Sequence, residues 1–380
     1  MNFELSEEQV ALQESVTRLL ARHYGFEQRR RIAASDGGWA PAVWSQLAEL
    51  GVTGLLVPAA NGGFGGSLCD MLPVLQAFGG ALALEPLLSS AVLAATALKL
   101  ADPGARRDEL LSGIAAGTGR AAWCHDEADG RHAPLWVETR ATRDGADWKL
   151  DGIKCTVLHG AQAQALLVTA RIAGGAPDAP EGLGLFLVEA DSPGVCIEGH
   201  RLMDDSPAAE VRLEGAAALP LCLDGEQALR IVESTLAAGM AAACADSVGA
   251  MDSAYRLALD YMRTRKQFGR FIGENQALRH RAAEMLVSLE MCRSMVVAAA
   301  VAADDFGSES SRAELQRAKI MLGRHGRTVC HSGVQIHGGI GMTEEYAVGH
   351  CLRRVVVMDQ LFGDADAHAA RRAAAFVTGG

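Results

Sequence analysis

The hydrophobic period of the chain changes twice, and those two changes limit the folds open to it more than any other feature. Through the first ~116 residues apolar side chains recur at helical spacing. Ser6 and Gln9 form a capping-box pair ahead of Val10, Leu12, Val16, Leu19 and Leu20. A second helix follows Pro41, a residue tolerated at a first helical position, and runs through Trp44, Leu47 and Leu50 to Gly51. In the loop GVTGLLVPAANGGFGG that comes next, Gly51, Pro58, Gly62, Gly63, Gly65 and Gly66 cannot continue a helix. Another helical stretch covers roughly 68 to 82, and Glu85-Pro86 resets the chain before the next apolar helix.

From about Arg120 the segments AAWCHDEADG, LWVETRAT, WKLDGIKCTVLHG, ALLVTARI, LGLFLVEA and VRLEGAA are short β-type runs divided by Gly, Asp, Pro and Ala. Strands at this spacing, with no helix between them, predict an antiparallel sandwich or barrel and not a Rossmann sheet. The β segment ends near Pro220. Asp224 and Gln227 form another capping-box pair, and the pattern is helical from there to about His331, with Ser311 and Glu314 opening a further helix. The predicted fold class is therefore α+β and multi-domain: an N-terminal helical domain at 1–117, a central antiparallel β-sandwich or barrel at 118–221, and a C-terminal helix bundle at 222–380.

Composition narrows the partners. Lys and Arg number 35 against 46 Asp and Glu, a net −11, so no global basic field invites nucleic acid or an anionic membrane. With 49% hydrophobic and 21% charged residues the chain can bury a core along most of its 380 residues. The nine cysteines, at 69, 124, 155, 196, 222, 244, 292, 330 and 351, show no CxxC pair and no Cys/His run at zinc spacing. They read as reduced, buried thiols of a cytoplasmic protein without a bound metal. The start MNFELSEEQV has neither a basic n-region nor an apolar h-region, which predicts no signal peptide. The most apolar stretch, 87–101, falls short of the ~18 apolar residues of a span, so no membrane partner is expected. The patch GGAPDAPEG at 174–182 reads as a loop between strands.

Two glycine-bearing segments of the last third stand out, RTRKQFG at 263–269 and QIHGGIGMTEEY at 335–346. Adjacent glycines let backbone N–H groups approach phosphate or ribose oxygens, and Arg265 can neutralise a pyrophosphate by charge-assisted hydrogen bonds. Each alone also suits a helix C-cap or a solvated helix end.

Taken together with the α-β-α order, these segments resemble the acyl-CoA dehydrogenase family across nearly the whole chain. LAELGVTGLLVPAANGGFGG is similar to the family's P-x-x-x-GG-x-G loop, with Pro58, Gly62, Gly63 and Gly65 in place. WKLDGIKCTVLHGAQAQALLVTAR resembles its Y-x-ING-x-K-x-WITNG hairpin, and LGLFLVEADSPGV its F-x-VE-x-x-x-PG strand. RKQFG, then ENQAL, then QIHGGIGMTEEY resembles its RKxFG, Q and Q-x-x-GG-x-G-x-x-x-EY series.

The resemblance implies an FAD between the β domain and the C-terminal helices, its ADP half reaching a neighbouring subunit. Arg265 is then expected at the pyrophosphate, Phe268 near the adenine half with Asn275 and Gln276 close to it, and Gln335, Ile336, His337, Gly338 and Gly339 as the loop around the ADP of a partner's flavin. Trp123 and Leu158 are expected beside the flavin from the β domain. The implied activity is FAD-dependent α,β-desaturation of an acyl-CoA thioester in fatty acid or steroid catabolism, with electrons leaving to an electron-transfer flavoprotein, in a homotetramer or an α2β2 tetramer.

Three departures bear on chemistry. The family's hydroxyl-rich TEP-x-x-GSD loop is here AWCHDEADGR, of which Trp123, Cys124 and Glu127 keep part of the pattern. The hairpin's WIT is Thr156, Val157 and Leu158. The carboxylate that takes the α-proton falls, in the two alignments the family offers, on Gly363 and Gly239, and glycine cannot be a base. Asp364 is the nearest substitute, with turn residue as its plain alternative; Glu233 and His368 are lesser candidates, while Asp366 and His368 also suit a role in ordering the loop. Ala237 and Met240 lack the polar groups many relatives turn toward the acyl-CoA. FGDADAH with ALALEP at 81–86 resembles a subgroup found as one subunit of two-gene acyl-CoA dehydrogenases, including enzymes of steroid side-chain and dicarboxylate breakdown. The alternatives are a silent partner subunit that completes another chain's FAD site, and an oxidase or monooxygenase on the same fold.

Overall fold

The computed structural model describes residues 5–145, 147–172 and 175–377. Helices occupy the first part of the chain: α1 (Glu7–His23), α2 (Phe26–Ala34), α3 (Pro41–Glu49), α4 (Leu68–Ala81), α5 (Ala95–Leu100) and α6 (Ala105–Ala115). Strands follow as β1 (Ala121–Cys124), β2 (Arg140–Asp144), β3 (Asp147–Leu158), β4 (Ala165–Arg171), β5 (Leu183–Glu189), β6 (Val195–Arg201) and β7 (Pro207–Cys222). The remainder is helical, in α7 (Gly225–Thr264), α8 (Gln276–Asp304), α9 (Glu309–His337), α10 (Ala347–Gln360) and α11 (Ala365–Val377). By internal contacts the chain divides into two compact units.

One unit comprises Ile32–Met71 and Leu84–Gly239. Its strands close into a barrel: β4, β2, β3, β7 and β5 follow one another, and β5 returns to β4. The pairing is antiparallel except for β1 on β4 and a single β2–β4 bridge at Arg140 and Arg171, a mixture the expected all-antiparallel sheet did not include. The parallel pair arises because the β2–β3 hairpin intervenes between β1 and β4 in the chain. Alternate side chains fill the barrel, among them Ala122, Cys124, Leu150, Val157, Leu166, Val168, Phe186, Val188, Val211 and Leu213. Before the barrel, the segment expected as an apolar helix after Pro86 is a wide π-helical turn at Leu87–Ala94 that continues into α5. The glycine loop folds back on itself, with the Phe64, Gly65 and Gly66 amides donating to the Gly54, Val57 and Leu55 carbonyls. Gly63 permits that approach, since a Cβ there would lie 2.2 Å from the Val57 oxygen.

The other unit joins the chain up to Arg31, Leu72–Ala83 and everything from Met240 onward. Close helix contact is possible where glycines meet: a Cβ on Gly79 of α4 would lie 1.8 Å from the Asp246 carbonyl of α7, and one on Gly249 would lie 2.0 Å from the Gln76 carbonyl. Arg354 of α10 seals this seam by a bidentate pair with Asp246 at 2.8 and 2.9 Å and a bond to the Ala83 carbonyl at 3.0 Å. The Ser6–Gln9 capping box is present in both directions. Asp224 caps α7 through the Gln227 amide, but the Gln227 side chain turns to Leu100 and Asp102 instead of completing the box. α9 opens three residues earlier than expected, on Ser308 and Ser311, leaving Glu314 to pair with Arg317. Helix also continues beyond His331, to Val377.

Both α7 and α8 are long and apolar enough to cross a membrane by length and composition, although the 87–101 segment drew the attention in sequence; 72% of the most apolar window of α7 is buried in the protein. Cys196 is exposed and Cys69 and Cys155 are half-buried, against the expectation of uniformly buried thiols. Residues 1–4 of the start motif and Gly174 of the GGAPDAPEG patch lie outside the described residues.

Candidate functional site

Strand alternation sets the first group. In β1, Ala122 and Cys124 point into the barrel, so Trp123 lies on the opposite face. Trp123 is buried and stacks on His125 at 5.7 Å between centroids, and its indole Nε1–H has no hydrogen-bond partner among the described residues. His125 Nε2–H donates to the Pro134 carbonyl at 2.9 Å, which leaves Nδ1 to accept from the Thr169 hydroxyl at 3.0 Å. Burial depresses the His125 pKa, in keeping with that neutral ring.

Beneath this segment lies chemistry that the residue pattern did not announce. Lys154 of β3, fully buried, sends its three donors to Glu127 Oε1 at 2.7 Å, the His125 carbonyl at 3.1 Å and Thr169 Oγ1 at 3.2 Å. Glu127 also accepts from the Glu138 and Thr139 amides and the Thr139 hydroxyl. Burial lowers the Lys154 pKa while Glu127 resists. For Glu127, burial acts upward, but the Lys154 ammonium and the Thr139 donors hold the carboxyl below its ordinary value. The lysine stands in the ING-x-K position of the family hairpin and Glu127 in the segment aligned with its TEP-x-x-GSD loop, so the sequence signal for each was its place in a motif, and nothing local paired them.

At the far end of β3, Val157 enters the barrel core and Leu158 is buried on the other face. His159 follows in a left-handed conformation, φ 53°, and its Nε2 donates to the Leu84 carbonyl at 2.9 Å with Nδ1 3.3 Å from Ser89 Oγ. The hairpin end is thereby tied to the π-helical turn.

The second group lies between α7 and α8 and at the end of α9. Lys266–Gln267 and Arg270–Phe271 pair as a short hairpin whose turn is Phe268 (φ 53°) and Gly269 (φ 81°). Phe268 at its tip is 102% exposed. The Arg265 guanidinium is exposed and makes no ion pair among the described residues. Asn275 is occupied locally, accepting from Arg270 at 2.8 Å and donating to the Ile272 carbonyl at 3.0 Å, and Gln276 is exposed at the first turn of α8.

Gln335, Ile336 and His337 are not loop, as expected, but the last turn of α9; Gln335 is exposed whereas Ile336 and His337 are buried. The helix stops there because Gly338 adopts φ 67°. The His337 ring sits 4.5 Å from Tyr261 and 4.7 Å from Tyr346, which brings the end of α9 onto the end of α7, one turn before Arg265. A Cβ on Gly338 or Gly339 would meet nothing within 4 Å. An open glycine pair with exposed backbone and an exposed guanidinium suit the ADP half of a dinucleotide. On the barrel unit, Trp123 offers an unsatisfied donor and Leu158 none, so these residues suit a ring system held by packing and one N–H.

Asp364 belongs to a third place. It caps α11, its Oδ1 accepting from the Ala367 amide at 2.8 Å, with Oδ2 3.4 Å from Gln360 Nε2. Asp366 is exposed and 3.7 Å from Arg324, and His368 is buried. Lys319, which touches the Leu361 carbonyl, and His337 lie 18 residues apart on α9, about 27 Å along its axis. The Arg265 group and the Asp364 loop thus lie about five turns apart along one helix, the first at its C-terminal end and the second beside its middle.

Helices before and after a β-barrel in the chain, with a cationic hairpin and a glycine pair meeting at one end of the C-terminal bundle, define a class of oxidoreductases. The family profile described as acyl-CoA dehydrogenase, N-terminal domain, matches residues 6–118, and the one described as acyl-CoA dehydrogenase, C-terminal domain, matches residues 228–376. The chain belongs to the acyl-CoA dehydrogenase family. It is 26% identical to the probable acyl-CoA dehydrogenase YngJ of Bacillus subtilis over 366 residues, 94% of this chain and 95% of that one. Among solved structures it resembles a variant of the Tcur3481-Tcur3483 steroid ACAD at 27% identity and TM-score 0.85, covering 98% of both chains. The ChsE4-ChsE5 complex of Mycobacterium tuberculosis shares the fold at 23% identity and TM-score 0.86, covering 99% of both chains.

Proposed function

We propose that this chain is one subunit of an FAD-dependent acyl-CoA dehydrogenase that desaturates an acyl-CoA thioester at its α and β carbons, the proton-accepting carboxylate coming from a homologous subunit. The observation that carries this reading is the pair of glycines, 239 and 363, at the two positions where the family resemblance expects a base. Bound FAD would supply the hydride acceptor. Arg265, Gly338 and Gly339 would hold its ADP half, with Phe268, Asn275, Gln276 and Gln335 around it and Ile336 and His337 setting the helix end from which the glycines depart. Trp123 would donate its buried N–H toward the ring, and Leu158 would pack against it.

The ~27 Å along α9 between the Arg265 group and the Asp364 loop favours a cofactor shared between subunits. So do the exposed apolar side chains Phe268, Val287, Met291 and Met342 in the C-terminal unit, a load more typical of an interface than of free surface. Two of the structural relatives are described by paired names, which fits a heteromeric assembly, an α2β2 tetramer, in preference to a homotetramer. An electron-transfer flavoprotein is the proposed electron acceptor, in the cytoplasm.

A second reading keeps the base in this chain. Asp364 is a half-buried carboxylate one residue from the expected position, with Oδ1 accepting from the Ala367 amide and Oδ2 3.4 Å from Gln360 Nε2. The deciding experiment is anaerobic mixing of the purified yellow protein with a panel of acyl-CoAs, alone and with an adjacent-gene homologue. Flavin bleaching only with the homologue present is expected; bleaching by this chain alone would return the base to Asp364, and a chain that never takes up FAD would sink both readings.

A further inference from the structure

The backbone at the end of α10 and the start of the α10–α11 turn is held through a run of its carbonyls. Lys319, buried in α9, donates to the carbonyls of Met358 at 2.9 Å, Asp359 at 2.9 Å and Leu361 at 2.7 Å. His368 Nε2–H donates to the Phe362 carbonyl at 3.0 Å. The Asp359 carboxylate accepts from Arg327 at 2.7 Å and from the Ala365 amide at 3.1 Å. Within this frame Phe362 and Gly363 are both left-handed, at φ 62° and 92°. A phenylalanine in that region is strained and persists only where its surroundings over-determine it. A Cβ built on Gly363 would lie 3.0 Å from His368 Nε2 and 3.4 Å from an Arg371 guanidinium nitrogen. A side chain at 363 would therefore be aimed into α11.

We propose that Lys319 and His368 are positioning residues that fix residues 358–363 in a form built to exclude a side chain at 363, so that a carboxylate reinstalled there points at α11 and cannot act as a base. The glycine is then part of a rebuilt loop and not a simple loss. His368 has the properties such a role requires. It is 1% exposed, one ring nitrogen is committed to the Phe362 carbonyl, and the other is buried without a hydrogen-bond partner among the described residues, so the ring fills the space as a neutral plug. The functional consequence rests on the proposed dehydrogenase reading, whereas the loop geometry does not.

The test uses the full-length protein with whatever cofactor copurifies, and reads amide hydrogen exchange of peptides spanning 358–368 together with the melting midpoint. His368→Leu, which keeps bulk and removes the donor, should raise exchange of these amides roughly tenfold, and His368→Gln, which can still donate to the Phe362 carbonyl, should return it to within roughly twofold of wild type. Lys319→Met should act as His368→Leu does. Gly363→Ala and Gly363→Glu should each lower the melting midpoint, and Gly363→Glu should give no flavin bleaching with acyl-CoA in the absence of a partner chain. Gly363→Glu melting with wild type, or gaining bleaching alone, overturns the proposal, as does unchanged exchange in His368→Leu. If Lys319→Met or His368→Leu does not fold, His368→Gln decides, and exchange in it well above wild type counts against the proposal. Should wild type never retain FAD, the dehydrogenase reading fails while the exchange and melting results still judge the loop.

Discussion

Lys154 Nζ and Glu127 Oε1 are 2.7 Å apart inside the barrel unit, with both side chains at 5% exposure or less. The pair fastens the segment after β1 to β3, and the remaining lone pairs and protons are all matched by Thr139, Thr169 and backbone groups. Lys154→Met leaves a buried carboxylate without its cation, and a loss of ~3–5 kcal/mol in denaturant unfolding is expected. Lys154→Met combined with Glu127→Leu should recover part of that loss, because the uncompensated charge is then gone. A single mutant within ~1 kcal/mol of wild type would show the pair to be incidental.

The exposed guanidinium of Arg265 is expected to contact pyrophosphate through charge-assisted hydrogen bonds worth ~1.5–3 kcal/mol. Arg265→Ala should weaken FAD retention by about 10- to 150-fold, read from the absorbance of released flavin on dilution. The fold should be unaffected, as the side chain makes no ion pair among the described residues. Full retention of flavin would remove Arg265 from the cofactor site.

Asp364 separates two roles by magnitude. As the N-cap of α11 its replacement by Ala should cost ~1 kcal/mol of stability and little else. If it is the base, flavin bleaching is abolished as well. The proposal of a base from a second chain predicts the first outcome, with the bleaching rate of the mixed assembly unchanged.

Burial, with Lys319 and Arg371 nearby, pulls the His368 pKa down to about 4. The unfolded chain, with an imidazole near ~6.5, binds the proton more readily, so the stability contributed by neutral His368 is complete above ~6.5 and declines as pH falls through the window to about 4. The whole effect is up to about 3 kcal/mol. Melting curves between these limits should show the slope in wild type and a shallower one in His368→Gln. Equal slopes would place the acid sensitivity elsewhere.

At the α4–α7 seam, Gly79→Ala places a methyl where the Asp246 carbonyl stands, 1.8 Å from the ideal Cβ. The helices must separate, and the Arg354–Asp246 pair is anchored on the same residue. A loss of roughly 2–4 kcal/mol is expected in equilibrium unfolding, larger than the small propensity gain of Ala over Gly. A neutral or stabilising result would mean that the seam opens freely.

The order of helix, strand and helix was legible in the sequence because period and turn chemistry are local properties: Ser6 with Gln9, Pro41 and the Gly-rich loop announce their elements within a few residues. The family was legible for a similar reason, since RKQFG and QIHGGIGMTEEY are contiguous strings. The α9 boundary was harder to read because Ser311 and Glu314 fit the capping-box pattern, whereas the backbone starts the helix on Ser308 with a serine, Ser311, as the reciprocal partner. Tertiary structure alone decided the rest. Lys154 with Glu127, Lys319 with the 358–361 carbonyls, and Arg354 with Asp246 join residues 27 to 108 positions apart, and a buried charge looks like any surface charge until its surroundings are known. The sequence determined that residue 363 carries no side chain; only the fold decided where one would point, because the direction of its Cβ, 3.0 Å from His368 Nε2, is set by the packing of α11.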